Sequence, residues 1–226
     1  MTVASNQPHS EPHLPKALAQ DLSASATPAT PTKAQLRKLL RQRRRDLSAQ
    51  QQKLASMNLC RQIARLPLFM NSRRIAAYIP NDGEISAQPL IELAWRLGKQ
   101  VYLPVLHPFR QGYLFFMEHQ PHQPLALNRF GIPEPLCDHD SRIPAWTLDL
   151  VLTPLVGFDE QGNRMGMGGG FYDRTFAFME TGHTPRRPRL VGVAHECQKV
   201  DALPCERWDI GMDFIATDRQ LYGLAT

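Results

Sequence analysis

The sequence predicts an α/β protein built on a mostly parallel sheet with helices on both faces. Two observations carry this. Short apolar runs of strand length alternate with helix-like segments along most of the chain, the order expected of βαβ units. One of these runs, LDLVLTPLVGFD (148–159), is almost continuously apolar, as in a parallel strand buried on both faces. No internal repeat competes with this reading.

Residues 1–31 are rich in Ser, Ala, Thr, Pro, Gln and His and hold few large apolar groups. Such a segment cannot bury enough surface to offset the entropy of ordering it, so a disordered tail is predicted there, with one domain over 32–226. Thr32-Lys33-Ala34-Gln35 has the form of a capping box. Leu36, Leu39, Leu40 and Leu47 then share one helical face, while Lys33, Arg37, Arg41, Arg44 and Arg45 share another. Ser48-Ala49-Gln50-Gln51 repeats the cap, and a second helix runs to about Arg65, closed by Pro67. RIAAYIP (74–80) reads as a strand, AQPLIELAWRLG (87–98) as a helix, QVYLPVL (100–106) and GYLFFME (112–118) as strands. After the apolar run a helix starts near Phe171, and RLVGVAHE (189–196) and DFIATD (213–218) are two further strands.

The net charge is +5, and its placement matters more than its size. Lys33 to Asp46 holds seven basic residues and one acid, whereas the chain after it balances at 18 basic and 18 acidic groups. A solvated helix face is the plain reading of RKLLRQRRR, and contact with nucleic-acid phosphates the sharper one. No RNA- or DNA-binding motif accompanies it, so no nucleic-acid partner is expected. Cys60, Cys137, Cys197 and Cys205 lack CxxC spacing, which speaks against zinc or a disulfide framework and for a reducing cytoplasm. No apolar run approaches the ~20 residues of a bilayer span, and no secretory signal is legible, so no membrane partner is expected.

The chemistry points to GNRMGMGGGFYDR (162–174), set between the buried strand and a predicted helix. Glycines there let backbone N–H groups approach an anion, and a helix N-terminus favours negative charge. Arg164 adds a guanidinium fork. The pattern is neither a P-loop, since Phe171 and Tyr172 stand where Lys and Ser/Thr belong, nor the dinucleotide fingerprint. A purely structural strand-to-helix turn stays open from spacing alone. Asp173, in the first helical turn, is either a dipole-compensating acid or a Mg²⁺ ligand beside phosphate. Asp209 and Asp213 are candidates for a second carboxylate.

GFDEQGNRMGMGGGFYDR resembles the signature of the 5-formyltetrahydrofolate cyclo-ligase (methenyltetrahydrofolate synthetase) family. KAQLR (33–37), YIPNDGEIS (78–86), RFGIPEP (129–135) and WDIGMDFIATD (208–218) resemble further family segments in the same order. The resemblance spans about 33 to 218 and implies a three-layer α/β/α fold, ATP as co-substrate, Mg²⁺ and a reduced folate. It implies that Lys33 and Arg37 contact ATP phosphates, which Arg164, Met165, Gly166, Met167, Gly168, Gly169, Gly170, Phe171 and Tyr172 enclose. Arg164 and Tyr172 are the catalytic candidates. Ile79, Glu84 and Phe130 would meet the folate, and Asp173 and Asp213 would hold the metal. A monomeric cytoplasmic enzyme is expected. Some relatives carry basic residues where this chain has Met167 and Gly169, which implies either weaker ATP binding or a shift of the work of meeting phosphate to Arg164 and Arg174. Three alternatives are a nucleic-acid protein, a sugar-phosphate isomerase or CoA transferase of related fold, and a folate binder without turnover.

Overall fold

The computed structural model describes Met1 and residues 31–136, 141–180, 188–204, 206 and 209–223. The tail predicted over 1–31 therefore lies outside the described residues except for its two ends, as do Cys137, Cys205 and Trp208. Thr32–Thr226 forms one compact unit.

Helix α1 (Lys33–Arg45) starts at the predicted capping box. The Thr32 side chain accepts from the Gln35 N–H, and the Gln35 side chain accepts from the Thr32 N–H. Such a cap stabilises a helix by roughly 1 kcal/mol. Leu36 and Leu40 are buried as expected, but Leu39 is 49% exposed. The third inward position, one turn past Leu40, is Arg44, with no exposed surface at all. Helix α2 (Ala49–Ala64) begins with the same reciprocal cap at Ser48 and Gln51. Pro67 does more than stop it. It opens a short helix α3 (Pro67–Asn71), where a missing N–H is harmless and the fixed φ is helical.

Strand β1 (Arg74–Ala76) is shorter than the predicted run. It is followed by α4 (Gln88–Arg96), β2 (Gln100–Leu106), β3 (Leu114–Glu118), and the small hairpin β4 (Leu125–Leu127) and β5 (Pro133–Pro135). After β6 (Arg142–Ile143), the long apolar run divides into β7 (Leu150–Pro154) and β8 (Gly157–Phe158). Strand β9 (Arg164–Met165) pairs back on β8 and leads through the glycine loop into α5 (Phe171–Phe176). Strands β10 (Arg189–Val193), β11 (Phe214–Ala216) and β12 (Leu221–Gly223) complete the sheet.

The sheet has eight strands in the order β12-β11-β10-β7-β1-β2-β3-β6. Strands β11, β10, β7, β1 and β2 run parallel, and antiparallel strands lie at both edges. One face carries α2, α3 and α4 through Leu59, Ile63, Phe69, Leu90 and Ile91, against Ile75, Leu150, Leu152 and Val191. The other carries α5 and the chain after it through Phe176, Met179 and Ile210, against Ala76, Val151, Leu190 and Ile215. Successive β7 residues thus enter opposite cores, which is why its sequence is apolar without alternation. Helix α1 instead seats Leu36 and Leu40 on Val156, Met165 and Leu203. A Cβ on Gly157 would run into the Leu40 side chain, so only glycine lets α1 approach this closely. Burying Leu40 fully contributes on the order of 1.5–3 kcal/mol to that docking. Among the described residues no helix is long and apolar enough to cross a membrane.

Candidate active site

Chain order reverses between β1 and β7. From β1 the chain moves outward to β2, and from β7 it moves the other way to β10 and β11. In open α/β sheets the crevice beyond the carboxyl ends of the strands at such a point is the ligand site. Two backbone segments leave it. Tyr78 to Glu84 follows β1, and the glycine loop follows β7 by way of the β8–β9 hairpin.

The loop is exposed from Gly166 to Gly169. Gly168 (φ 92°) and Gly170 (φ 62°) adopt left-handed conformations that bulky residues disfavour. Two of the loop carbonyls are held by arginine side chains. Arg37 Nε donates to Gly166 O at 3.0 Å, and Arg174 Nη2 donates to Gly169 O while its Nε donates to Gly112 O at 3.0 Å. The amides are different: no N–H from Gly166 to Gly170 finds an acceptor among the described residues. Helix α5 has only six residues, so the loop amides and flanking cations matter more than its dipole.

The other segment is a tight turn. Asp82 (φ 53°) and Gly83 (φ 76°) are successive left-handed residues, and Glu84 N–H donates to Asn81 O. A non-glycine residue there costs on the order of 1 kcal/mol. The compensation is an arginine cluster. Asp82 accepts from Arg41 at 2.7 Å, from Arg44 at 3.0 Å and from Arg45, and Arg44 Nε also donates to Asp82 O at 2.8 Å. Burial alone would raise the Asp82 carboxyl, but the Arg41, Arg45 and Arg44 hydrogen bonds outweigh it and hold it at about 2. The basic stripe of α1 is therefore not a solvated face. Its C-terminal half clamps this turn, and its N-terminal half reaches the glycine loop through Arg37.

Glu84 lies 3.6 Å from Arg44 and accepts from Asn81 N–H at 3.1 Å. Burial pushes its carboxyl up, against the pull of Arg44. Tyr172 faces Glu84 electrostatically. Its phenol is raised far above the ordinary range, first by burial and then by Glu84, and Tyr78 is raised for the same two reasons. At neutral pH Tyr172 is therefore a hydrogen-bond donor and not a base. Ile79 is half-buried beside Tyr78. Phe130, 52% exposed at the tip of the β4–β5 hairpin, meets Phe171 edge-to-face at 5.9 Å.

Several predicted residues are placed with other partners. Lys33 Nζ forms an ion pair with Glu206 at 2.7 Å. Arg164 Nη2 is 2.5 Å from Asp173 Oδ1, which also accepts from Ile210 N–H at 3.3 Å. No partner of Asp173 Oδ2 occurs among the described residues. Met165 is buried in the α1 seat and Met167 is 54% exposed. Asp213 is a correction. It precedes β11, its Oδ2 accepts from Leu190 N–H at 2.7 Å, and its Oδ1 pairs with Arg189 at 3.0 Å. Both oxygens thus hold the start of β10, at the amino-terminal edge of the parallel strands. Asp209 instead adjoins the Ile210 amide that meets Asp173. The sequence reading overlooked Arg44, Asp82 and Tyr78. The Asn-Asp-Gly turn signal was the one clue to the clamp.

An open, mostly parallel sheet with loop amides that lack acceptors among the described residues at its switch point, flanked by cations and by the partly buried Glu84 and Tyr172, has the build of an α/β enzyme that handles a phosphorylated ligand. The model of the 5-formyltetrahydrofolate cyclo-ligase family matches residues 29–218, and the chain belongs to that family. It is similar to the 5-formyltetrahydrofolate cyclo-ligase of Escherichia coli, 44% identical over 184 residues covering 81% of this chain and 99% of the relative. The corresponding Haemophilus influenzae protein is 42% identical over 182 residues, covering 80% and 95%. A solved 5,10-methenyltetrahydrofolate synthetase from Aquifex aeolicus superposes with a TM-score of 0.71 at 29% identity, covering 86% of this chain and 93% of that one.

Proposed function

We propose that this chain converts 5-formyltetrahydrofolate to 5,10-methenyltetrahydrofolate at the expense of ATP. The observation that carries the reading is the asymmetry of the glycine loop: arginine side chains take the Gly166 and Gly169 carbonyls, and none of its amides has an acceptor among the described residues. Those amides, with Arg37, Arg164 and Lys33, suit a triphosphate. Glu84 suits the N–H groups of a pterin, with Ile79 and Phe130 against its apolar faces.

A formamide is a poor electrophile, and its oxygen a poor leaving group. Transfer of the γ-phosphoryl group to the formyl oxygen gives ADP and an activated iminium phosphate. Attack of folate N10 on that carbon closes the ring, N10 gives up its proton to the departing group, and the C–O bond breaks to release hydrogen phosphate with the original formyl oxygen. Positioning and charge stabilisation supply most of the catalysis of phosphoryl transfer. Arg164, anchored by Asp173, is aimed at the transferred group. Tyr172 donates a hydrogen bond to an oxygen that gains charge.

For Mg²⁺, Asp173 fits as one carboxylate, since Oδ2 is not engaged among the described residues, and Asp209 replaces Asp213 as the second candidate. No cage of three or more His, Cys, Asp or Glu side chains occurs among the described residues. Mg²⁺ does not require one, because phosphate oxygens and water complete its shell. The ion would neutralise charge on the β- and γ-phosphates. A monomer working in the cytoplasm, with 32–226 as the catalytic unit and no part for the tail, completes the reading.

The test is direct. Purified protein, 5-formyltetrahydrofolate, Mg²⁺ and ATP should yield the near-ultraviolet absorbance of the methenyl product with one ADP for each. No product with all components present would overturn the reading.

A further inference from the structure

We infer that Arg174 is a positioning residue for the nucleotide: it braces the glycine loop against the β2–β3 hairpin and so fixes the direction of the loop amides that meet phosphate. This deepens the reading of that loop as the triphosphate site and rests on it. A direct contact with phosphate is the role the sequence suggests for Arg174, but one edge of its guanidinium goes to backbone carbonyls on two different loops.

Peptide geometry makes the link. A trans peptide is planar, so the C=O of one residue and the N–H of the next point in opposite directions. Whatever holds a carbonyl therefore aims the amide that follows it. Arg174 holds two carbonyls in a row: its Nη2 donates to Gly169 O, and its backbone N–H donates to Gly170 O at 3.0 Å. The next amides, those of Gly170 and Phe171, are turned the other way, and neither has an acceptor among the described residues. Arg37 does the same at the front of the loop, where its hold on Gly166 O aims the Met167 amide.

The brace is anchored at its far end. Arg174 Nε donates to Gly112 O at 3.0 Å, in the turn between β2 and β3. The next residue ties α5 to the same hairpin, since Thr175 Oγ1 accepts from Leu114 N–H at 2.9 Å. Glycines on both sides make room for the guanidinium. A Cβ on Gly112 (φ 82°) would collide with it, and one on Gly170 (φ 62°) would lie 2.9 Å from Nη1. The shape of the group matters as much as its charge. Nε and Nη2 form one edge of a rigid planar fork, which can span two carbonyls at once. A lysine ammonium is a point donor on a flexible stem and has no such edge.

The test titrates the full chain, Arg174→Ala and Arg174→Lys with a non-hydrolysable ATP analogue plus Mg²⁺, and separately with 5-formyltetrahydrofolate. Arg174 is exposed and Thr175 keeps α5 on the hairpin, so both variants fold. Both should bind the nucleotide about tenfold more weakly, as for loss of one charge-assisted hydrogen bond. Folate affinity should stay within about twofold. The lysine variant separates a brace from a phosphate contact, because an ammonium serves a phosphate but cannot fork between Gly112 O and Gly169 O. Nucleotide affinity in Arg174→Lys within about twofold of the parent would make Arg174 a phosphate contact and overturn the brace. Unchanged nucleotide affinity in Arg174→Ala would overturn it too, as would equal weakening of nucleotide and folate. The titrations need no turnover. A parent chain that binds the nucleotide but forms no methenyl product would overturn the proposed reaction alone, and one that binds no nucleotide would overturn both.

Discussion

The turn at Asn81–Glu84 and the loop at Gly166–Gly170 leave the same switch point and flank the same crevice, but they are stabilised in opposite ways. The turn holds two left-handed residues, one of them Asp82, and is closed by three arginines on a single carboxylate, with Gln52 donating to Gly83 O at 3.2 Å as well. Most of its polar groups are met inside the protein; Arg44 has no exposure at all, and its Nη1, 3.6 Å from Glu84, is left without a hydrogen bond among the described residues. The loop is glycine-rich and exposed, with the Gly166 and Gly169 carbonyls tied and its amides without acceptors among the described residues. The turn is finished before any ligand arrives, whereas the loop completes its hydrogen bonds on an anion. Helix α1 spans both, so one element sets the distance between the two halves.

Breaking the finished half should give the largest effect. Arg44→Leu leaves Glu84 buried without its cation and removes two contacts to Asp82, and an uncompensated buried pair typically costs about 3–5 kcal/mol. Denaturant unfolding measures it. A loss below about 1 kcal/mol would mean that Arg41 and Arg45 suffice and the clamp is redundant.

Asp173→Asn probes the open half. The parent carboxylate anchors Arg164, whose side chain is only 9% exposed, so the variant should lose stability as well as metal affinity, by roughly 1–2 kcal/mol. The discriminating readout is the Mg²⁺ concentration for half-maximal rate. It should rise, with turnover partly restored by excess Mg²⁺. A slow variant with unchanged Mg²⁺ dependence would make Asp173 an anchor for Arg164 and nothing more.

Acid should undo the finished half in two steps. Burial holds the His195 imidazole at about 4, from an ordinary 6.5, with Asp218 and the Gly83 backbone opposing only in part. As pH falls between those values the unfolded chain takes up a proton that the folded chain refuses, so stability drops. Asp82 adds a second drop from an ordinary 3.8 down to about 2, as its arginine partners lose their carboxylate. Glu84, raised by burial, works in the opposite sense. Denaturation midpoints should fall in both windows, and His195→Gln should flatten only the upper one. A midpoint that holds steady from neutral pH down to about 4 would contradict the His195 assignment.

Much of this was legible in local pattern. Both capping boxes, the β2 limits and the glycine loop before a helix depend on residues within a few positions of each other. What escaped depends on distant partners. Arg44 belongs to a basic stripe, and nothing nearby announces that Asp82, 38 residues on, draws it inward. Lys33 pairs with Glu206 across 173 residues. The choice between Asp209 and Asp213 turns on which of two acids reaches Arg189, a contact set by sheet register. Strands β4, β5, β6, β8, β9 and β12 have only two or three residues each, too short to show a period.

The division of labour between the halves is tested most directly by titrating Arg37→Ala separately with a non-hydrolysable ATP analogue plus Mg²⁺ and with 5-formyltetrahydrofolate. Among the described residues the side-chain hydrogen bond of Arg37 goes to the loop, at Gly166 O at 3.0 Å, and a Cβ built on Gly168 would lie in van der Waals contact with its guanidinium. The account predicts that the nucleotide binds roughly ten- to a hundred-fold more weakly, the loss expected of one charge-assisted contact of about 1.5–3 kcal/mol. Folate affinity should stay within about twofold. Equal weakening of both ligands, or of neither, would contradict the placement of the phosphates on the glycine loop.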